Sequence, residues 1–457
     1  VLTINHAKAL QGKLILPPSP DLFLVAAFAS LASRRKVRIR PVRDCPVFKQ
    51  WAALLDGHAA VTWENGDTGD AACVVDPGSG NSSDTIVFAD DQIPYRDLVV
   101  FLALSTHKRV VFRSITEKRL SLWREQAKRI GYEVEPFVKD ETHGLVLAGE
   151  IAGTSLPSVI VEQDIHPALG LFCGLRVKRA FQIDFTLSTP FRPLSSALGY
   201  GIEVKRDIGE AEKDPLIRRM RLKARQRLSS QDQIFNVTAD FSTSPASNEE
   251  IIALPIPGDE VLFALFLIAK SFIHKGSFVI DNAPFEPWAT PTLTLMRKMG
   301  CKPSQQETHQ TAFGSAGMIT FPKFDLTGQK TDFVPHCHYA SQLPAMAVLA
   351  AFAEGQSLFR KFDDLRLNDP DGIKQLEICL KTMNVKYGDI PDGFVIKGNQ
   401  EHDGFDLIEP LPAYCAGAFA IAGLHSVGST TINDEQMLNR WPDFQELIEK
   451  LFEYRTL

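Results

Sequence analysis

"GKLILPPSPDLFLVAAFASLAS", Gly12 to Ser33, runs from a short β-like stretch through a proline pair and a Ser-Pro-Asp turn into an uncharged segment. Ser19 offers a capping hydroxyl, Pro20 suits the first helical position, and Asp21 sits near the positive end of the helix dipole. The helix that follows has no polar face. A surface helix shows one apolar stripe, whereas one that is apolar all round is enclosed by protein or lipid. At about a dozen residues the run falls short of the roughly 20 that span a bilayer. The stretch therefore predicts a helix buried inside a protein core, entered through a capped turn.

The same kind of segment recurs. Uncharged, Ala/Leu-rich runs lie at Asp97 to Ser105, Pro167 to Leu175, Val261 to Ala269, Leu343 to Ala353 and Pro412 to Leu424, which with the first makes six. They are spaced by about 70 to 90 residues, and self-similarity at a regular period implies units that share a core. Each is followed by a β-like stretch, a loop and an amphipathic helix. The clearest copies are Arg109 to Glu135, Gly276 to Lys302, Gly355 to Gly388 and Gly428 to Leu451. Alternating apolar residues there predict strands, and Leu and Met at helical spacing predict half-exposed helices, with Gly131 and Gly300 as stop signals. "VRIRPVRDCPVFKQWAALLDG" and "FQIDFTLSTPFRPLSSALGYG" are looser versions. The simplest packing puts the buried helices inside and the sheets with their amphipathic helices outside.

The 457 residues exceed one ordinary core and predict two or three domains. A net charge of -6 argues against a dedicated nucleic-acid binder, and no long apolar span points to a membrane. Seven scattered cysteines with no CxxC pair read as reduced, mostly buried thiols of a cytoplasmic protein. "HCH", His336 to His338, has no further ligand in view; on a strand only the two histidines share a side, so no metal site is expected. "GSGNSSD" (Gly78 to Asp84) lacks the Walker lysine. Two basic concentrations stand out. "RRKVRIRPVR" (Arg34 to Arg43) predicts a strand with one basic side. "IRRMRLKARQR" (Ile217 to Arg227), within a polar insertion of about 205–250, is either a solvated segment or a docking surface for an acidic partner.

Six such units, three per domain, resemble the enolpyruvyl transferases, above all EPSP synthase (3-phosphoshikimate 1-carboxyvinyltransferase). The likeness covers nearly the whole chain through ordered local matches. "LQGKLILPPSPD" is similar to the family's Leu-Pro-Gly-Ser-Lys-Ser entry to a buried helix, and "ADDQIPYRDL" to its Asn-Ala-Gly-Thr-Ala-Met-Arg-Pro-Leu stretch. "ITEKRLSLWREQAKRIG" resembles the Lys-Glu-Arg-Pro segment, "LSTPF" a Ser-Lys-Pro-Tyr element, and "DDLRLNDPDG" the Trp-Arg-Val-Lys-Glu-Thr-Asp-Arg stretch. "NRWPDFQELIEKL" resembles the Lys-Thr-Phe-Pro-Asp-Phe closing helix.

The resemblance implies an α/β fold, a two-domain inside-out α/β barrel of six βαβαββ-like units. It places residues 18–255 in one lobe and 1–17 plus 256–457 in the other, with the second crossing near "PIPG" (Pro255 to Gly258). It implies a small anionic or phosphorylated substrate in the interdomain cleft, no cofactor, and a carboxyvinyl transfer of the kind used in aromatic amino acid biosynthesis. Such a cleft needs several Lys and Arg for its phosphates and carboxylates to move protons.

The site residues it carries over are Ser19, Arg96, Lys118 or Arg119, Ser188 and Arg440 for binding, and Asp369 as the acid/base. Arg96 reads equally as a helix-anchoring ion-pair partner. Most of the family's charged positions are replaced: its Lys-Ser by Pro20-Asp21, the next Arg by Val25, the Lys-Glu pair by Asn368-Asp369, and the last Lys by Asn439 beside Arg440. Ser-Ser-Gln becomes His166-Pro167-Ala168, a catalytic Asp falls at Ser341, and Asp-His-Arg becomes Pro410-Leu411-Pro412. Two readings follow, a diverged transferase-like enzyme on another substrate and a catalytically silent relative kept as a binding or regulatory partner.

Overall fold

The computed structural model describes residues 1–64, 71–79, 84–88, 94–113, 115–129, 133–139, 142–147, 159–161, 181–186, 191–206, 234–240, 251–332, 340–362, 370–398 and 402–454. The run at 167–175, the "HCH" triplet and the basic segment at 217–227 lie outside them, whereas Ile234–Asp240, within the expected polar insertion, is a strand between Phe181–Thr186 and Gly201–Arg206.

The helix at Pro20–Ser33 forms as its sequence dictates. The Ser19 hydroxyl accepts a hydrogen bond from the Leu22 amide at 3.1 Å, and Arg34 ends the helix in the left-handed region, at φ 54°. Every residue from Pro20 to Ala32 is buried, so the uncharged run has no solvent face. Four other expected runs are helices of the same kind: Arg96–Thr106, Glu260–Phe272, Leu343–Phe352 and Ala413–His425. Amphipathic helices follow at Glu117–Arg129, Pro291–Lys298, Pro370–Thr382 and Phe444–Leu451.

The strands show the repeat most directly. Five four-stranded sheets among the described residues share one topology, a parallel pair extended on one side by two antiparallel strands. In the first, Ile252–Pro255 runs parallel to Val37–Arg40, which pairs antiparallel with Ala72–Asp76, and that strand with Ala60–Glu64. A sixth sheet has three strands, with Asp406–Leu407 parallel to Ser429–Ile432 and Leu2–Asn5 antiparallel to it. Along Val37–Arg40 the residues alternate as anticipated, with Val37 and Ile39 buried and Arg38 and Arg40 on the other side.

Two hydrophobic cores result. The first gathers residues between Leu22 and Ile256; the second gathers Leu2 to Leu16 together with Val261 to Phe452. We call the structure around each core a lobe. In the second lobe the helices Glu260–Phe272, Leu343–Phe352 and Ala413–His425 pack against one another at the centre, with the sheets outside. One feature was not anticipated: Trp288, Ala289, Ala312 and Phe313, from the second half of the chain, belong to the first core. Periodicity marks a residue as buried but does not say in which core.

The chain passes between lobes twice, and the two crossings are bonded to each other. The Ser19 amide donates to the Pro257 carbonyl at 3.0 Å, and the Asp259 amide donates to the Pro17 carbonyl at 2.7 Å. Gly258 is required at this contact, since a Cβ there would lie 2.4 Å from the Asn282 carbonyl oxygen and 2.5 Å from the Leu16 Cβ.

The described cysteines 45, 73, 301, 379 and 415 are buried thiols outside any disulfide, and burial pushes those of Cys73 and Cys301 up to about 12. At the far end of the central helices of the second lobe, His425 packs against Phe272, Phe352 and His6. Burial, followed by repulsion from His6, His274 and His402, pushes its imidazole down to about 4. The unfolded chain takes up that proton near pH 6.5, so stability is full above 6.5 and falls as pH drops towards 4. A shift of this size corresponds to roughly 3 kcal/mol. Urea unfolding between pH 7 and 4 should show this loss, and His425→Phe should flatten it; equal slopes for the two proteins would refute the assignment.

Candidate functional site

The capped starts of two buried helices, Pro20–Ser33 and Glu260–Phe272, meet where the chain crosses between lobes. Ser19 caps the first and Asp259 the second, the Asp259 Oδ1 accepting from the Val261 and Leu262 amides at 2.8 and 3.0 Å. The two helices therefore direct their positive ends into one small buried region. Three carboxylates lie there: Asp21, Asp259 and Glu260, all buried.

Arg440, at the end of the short helix Glu435–Arg440, answers them. Its Nη1 and Nη2 donate to the two oxygens of Asp21 at 2.7 and 3.0 Å, a bidentate pair, and Nη2 also donates to Asp259 Oδ2 at 3.0 Å. Trp441 Nε1 donates to the same Asp259 oxygen at 2.9 Å, so both oxygens of Asp259 are satisfied. The Arg440 guanidinium also lies over the Trp441 ring, 5.3 Å from its centroid. Burial works against the charged form of Arg440, but Asp21 and Asp259 outweigh it and hold the group firmly cationic.

One guanidinium cannot neutralise three carboxylates, and the excess falls on Glu260. Burial first, then the charges of Asp21 and Asp259, push its carboxyl up to about 8, so it holds a proton at neutral pH. Burial also raises Asp21, against the pull of Arg440. Tyr95 donates its hydroxyl to Glu260 Oε1 at 2.7 Å from the first lobe, and burial followed by the Glu260 charge pushes that phenol far up. The junction thus contains a buried carboxylic acid near neutral pH beside a phenol, an arrangement able to hold or release a proton. A third bridge between lobes joins Arg43 to Asp443, with both nitrogen–oxygen distances at 3.0 Å.

The structure gathers some of the expected site residues and separates others. Ser19 and Arg440 lie at the junction, where Ser19 is a helix cap and Arg440 is held by the chain's own acids. Arg96 begins the helix Arg96–Thr106, next to Tyr95. Arg119 is buried on the helix Glu117–Arg129, its guanidinium 5.9 Å from the Trp123 ring centroid. The side chain of Lys118, and Ser188 and Asp369, fall outside the described residues. Val25, in place of a family arginine, is fully buried. Asp259, Glu260, Tyr95 and Trp441 were missed by sequence reasoning. The available signal was the likeness of "PSPD" to "PGDE", two capped acidic turns before two buried helices.

Among the described residues no group of three or more His, Cys, Asp or Glu is arranged to hold a metal ion. No helix among them is long and apolar enough to cross a membrane.

Residues 233–448 match the family described as EPSP synthase (3-phosphoshikimate 1-carboxyvinyltransferase). That region is just under half of the chain, and over it the chain is similar to the EPSP synthase family. It is 26% identical over 201 residues to a 3-phosphoshikimate 1-carboxyvinyltransferase of Carboxydothermus hydrogenoformans, covering 43% of this chain and 46% of the relative. A second enzyme of that name, from Synechococcus sp., is 26% identical over 199 residues, covering 43% and 44%. The chain thus spans about half the length of the curated relatives it matches. In fold it is similar to the enolpyruvyl transferase NikO from Streptomyces tendae, with TM-score 0.66, 14% identity, and 99% and 98% of the two chains covered. It is likewise similar to EPSP synthase from Acinetobacter baumannii, with TM-score 0.64, 15% identity and the same coverage. The two-lobed, six-unit α/β architecture is therefore of EPSP synthase type.

Because the folded protein keeps Glu260 protonated up to about pH 8 while the unfolded chain ionises it near 4.5, stability is lost as pH rises across that window. Glu260→Gln removes this cost and retains an acceptor for Tyr95. Thermal melts should show the variant matching wild type near pH 4.5 and exceeding it by a margin that widens up to pH 8. A margin independent of pH would contradict the buried-acid assignment.

Proposed function

We propose that this protein keeps the two-lobed frame of the enolpyruvyl transferases but acts on a substrate other than the phosphoenolpyruvate and phosphorylated alcohol of EPSP synthase. The observation that carries the reading is the bidentate pair between Arg440 and Asp21. In the family, the turn at Pro20-Asp21 and the helix end at Asn439-Arg440 bring cations to the ligands. Here the first offers a carboxylate, and the cation of the second is already held by it. Two phosphorylated ligands require several unengaged Lys and Arg side chains, and fixed carboxylates repel them. A ligand placed between the lobes would carry less negative charge than the standard pair, and the protonated Glu260 beside Tyr95 is a proton source that does not depend on the family's acid/base residues.

The bridges across the junction also favour a second reading, a catalytically silent relative that serves as a binding or regulatory partner. One ligand screen separates these possibilities. A ligand at 100 times its dissociation constant stabilises by about 2.7 kcal/mol. We expect no rise in melting temperature with phosphoenolpyruvate, shikimate 3-phosphate or both. A rise with the pair, accompanied by phosphate release, would overturn the proposal. A rise with a monocarboxylate or an unphosphorylated alcohol from the same panel supports the diverged enzyme; silence across the panel supports the partner role.

A further inference from the structure

The contacts across the junction include an apolar plug as well as ion pairs. Trp288 and Phe313 belong to elements that continue into the second core, yet both are buried in the first, with ring centroids 6.4 Å apart. The Trp288 ring meets the Tyr95 ring edge-on at 6.0 Å. Gln342 fixes the Trp288 segment from behind: its Nε2 donates to the Ala289 carbonyl at 2.7 Å, and its Oε1 accepts from the Thr292 hydroxyl at 2.9 Å. The Ala312 amide donates to the Pro255 carbonyl at 2.7 Å, tying the Phe313 turn to the second crossing. Around this apolar plug stand three polar bridges, Tyr95 to Glu260, Arg440 to Asp21, and Arg43 to Asp443.

We infer that the two lobes are clasped in one arrangement by the chain's own side chains, so that no ligand is needed to bring them together. Separating them would move Trp288 and Phe313 into water and leave Asp21 and Arg440 without each other in a buried setting. Each bridge places one partner on either side: Asp21, Tyr95 and Arg43 from the first lobe, Arg440, Glu260 and Asp443 from the second. The inference concerns mechanics and holds whichever substrate, if any, the protein takes.

Small-angle X-ray scattering on the full chain tests it. The wild-type profile without ligand should match that calculated from the clasped structure and stay unchanged on adding phosphoenolpyruvate with shikimate 3-phosphate. Arg440→Gln combined with Trp288→Ser should enlarge the radius of gyration while leaving far-UV circular dichroism intact. A wild-type profile of separated lobes, contraction on adding the two ligands, or an unchanged radius in the folded double variant would overturn the inference. Should the double variant fail to fold, hydrogen exchange in the wild type decides. Amides at 288–290 and 311–313 should exchange as slowly as those at 261–269, and exchange at the rate of surface loops would refute the clasp.

Discussion

A single guanidinium, that of Arg440, sits where two lobes, two helix starts and three carboxylates converge. Its bidentate grip on Asp21 joins residues 419 positions apart, and its contact with Asp259 ties the same point to the second crossing. Much of the junction depends on it. The capped helices Pro20–Ser33 and Glu260–Phe272 approach each other with their positive ends, and the acids Asp21 and Asp259 compensate for that approach. Without Arg440 those acids would be buried charges lacking a partner, a costly condition. With it, the surplus charge is relieved at Glu260, which stays protonated and accepts the Tyr95 hydroxyl. The chemistry of the junction follows from one imbalance, three acids against one base.

The fold and this junction rest on different kinds of residue. The frame rests on burial: the five described buried helices fill two cores, an arrangement insensitive to the identity of a few polar turn residues. The junction rests on charged side chains at those turns. Asp21 and Arg440 form an internal ion pair at the turn while the helix Pro20–Ser33 behind it stays buried.

Much of the architecture was legible in the sequence because it rests on local patterns. The helix Pro20–Ser33 is announced by Ser19-Pro20-Asp21 and an uncharged run, and the strand Val37–Arg40 by alternating basic and branched residues. The six-fold recurrence of those patterns then implied the repeating sheets. The site was less legible because its meaning lies in pairs. Arg440 reads as an available cation until Asp21 is found against it, and nothing local in either segment reports the other. Glu260 and Lys270 are harder still. Both are charged residue types on a fully buried helix, and their tolerance comes from Tyr95 in one case and, in the other, from the carbonyls of Ile273, His274 and Gly276 that receive the Lys270 ammonium. Trp288 was legible as buried but not as a member of the other core, since that depends on how the turns after two different strands are aimed.

The pairing of the first strands sets an order of assembly on the ribosome. Gly12–Ile15 lies parallel to Phe278–Pro284, and Leu2–Asn5 lies beside Ser429–Ile432. As synthesis proceeds from the amino end, the first-core residues from Leu22 to Leu198 emerge before those partners exist. Gly12–Ile15 can therefore pair only after residue 281 has been made, and Leu2–Asn5 only after residue 432. Leu2–Asn5 is thus secured late, and the sheet it joins is complete only once Ser429–Ile432 is present.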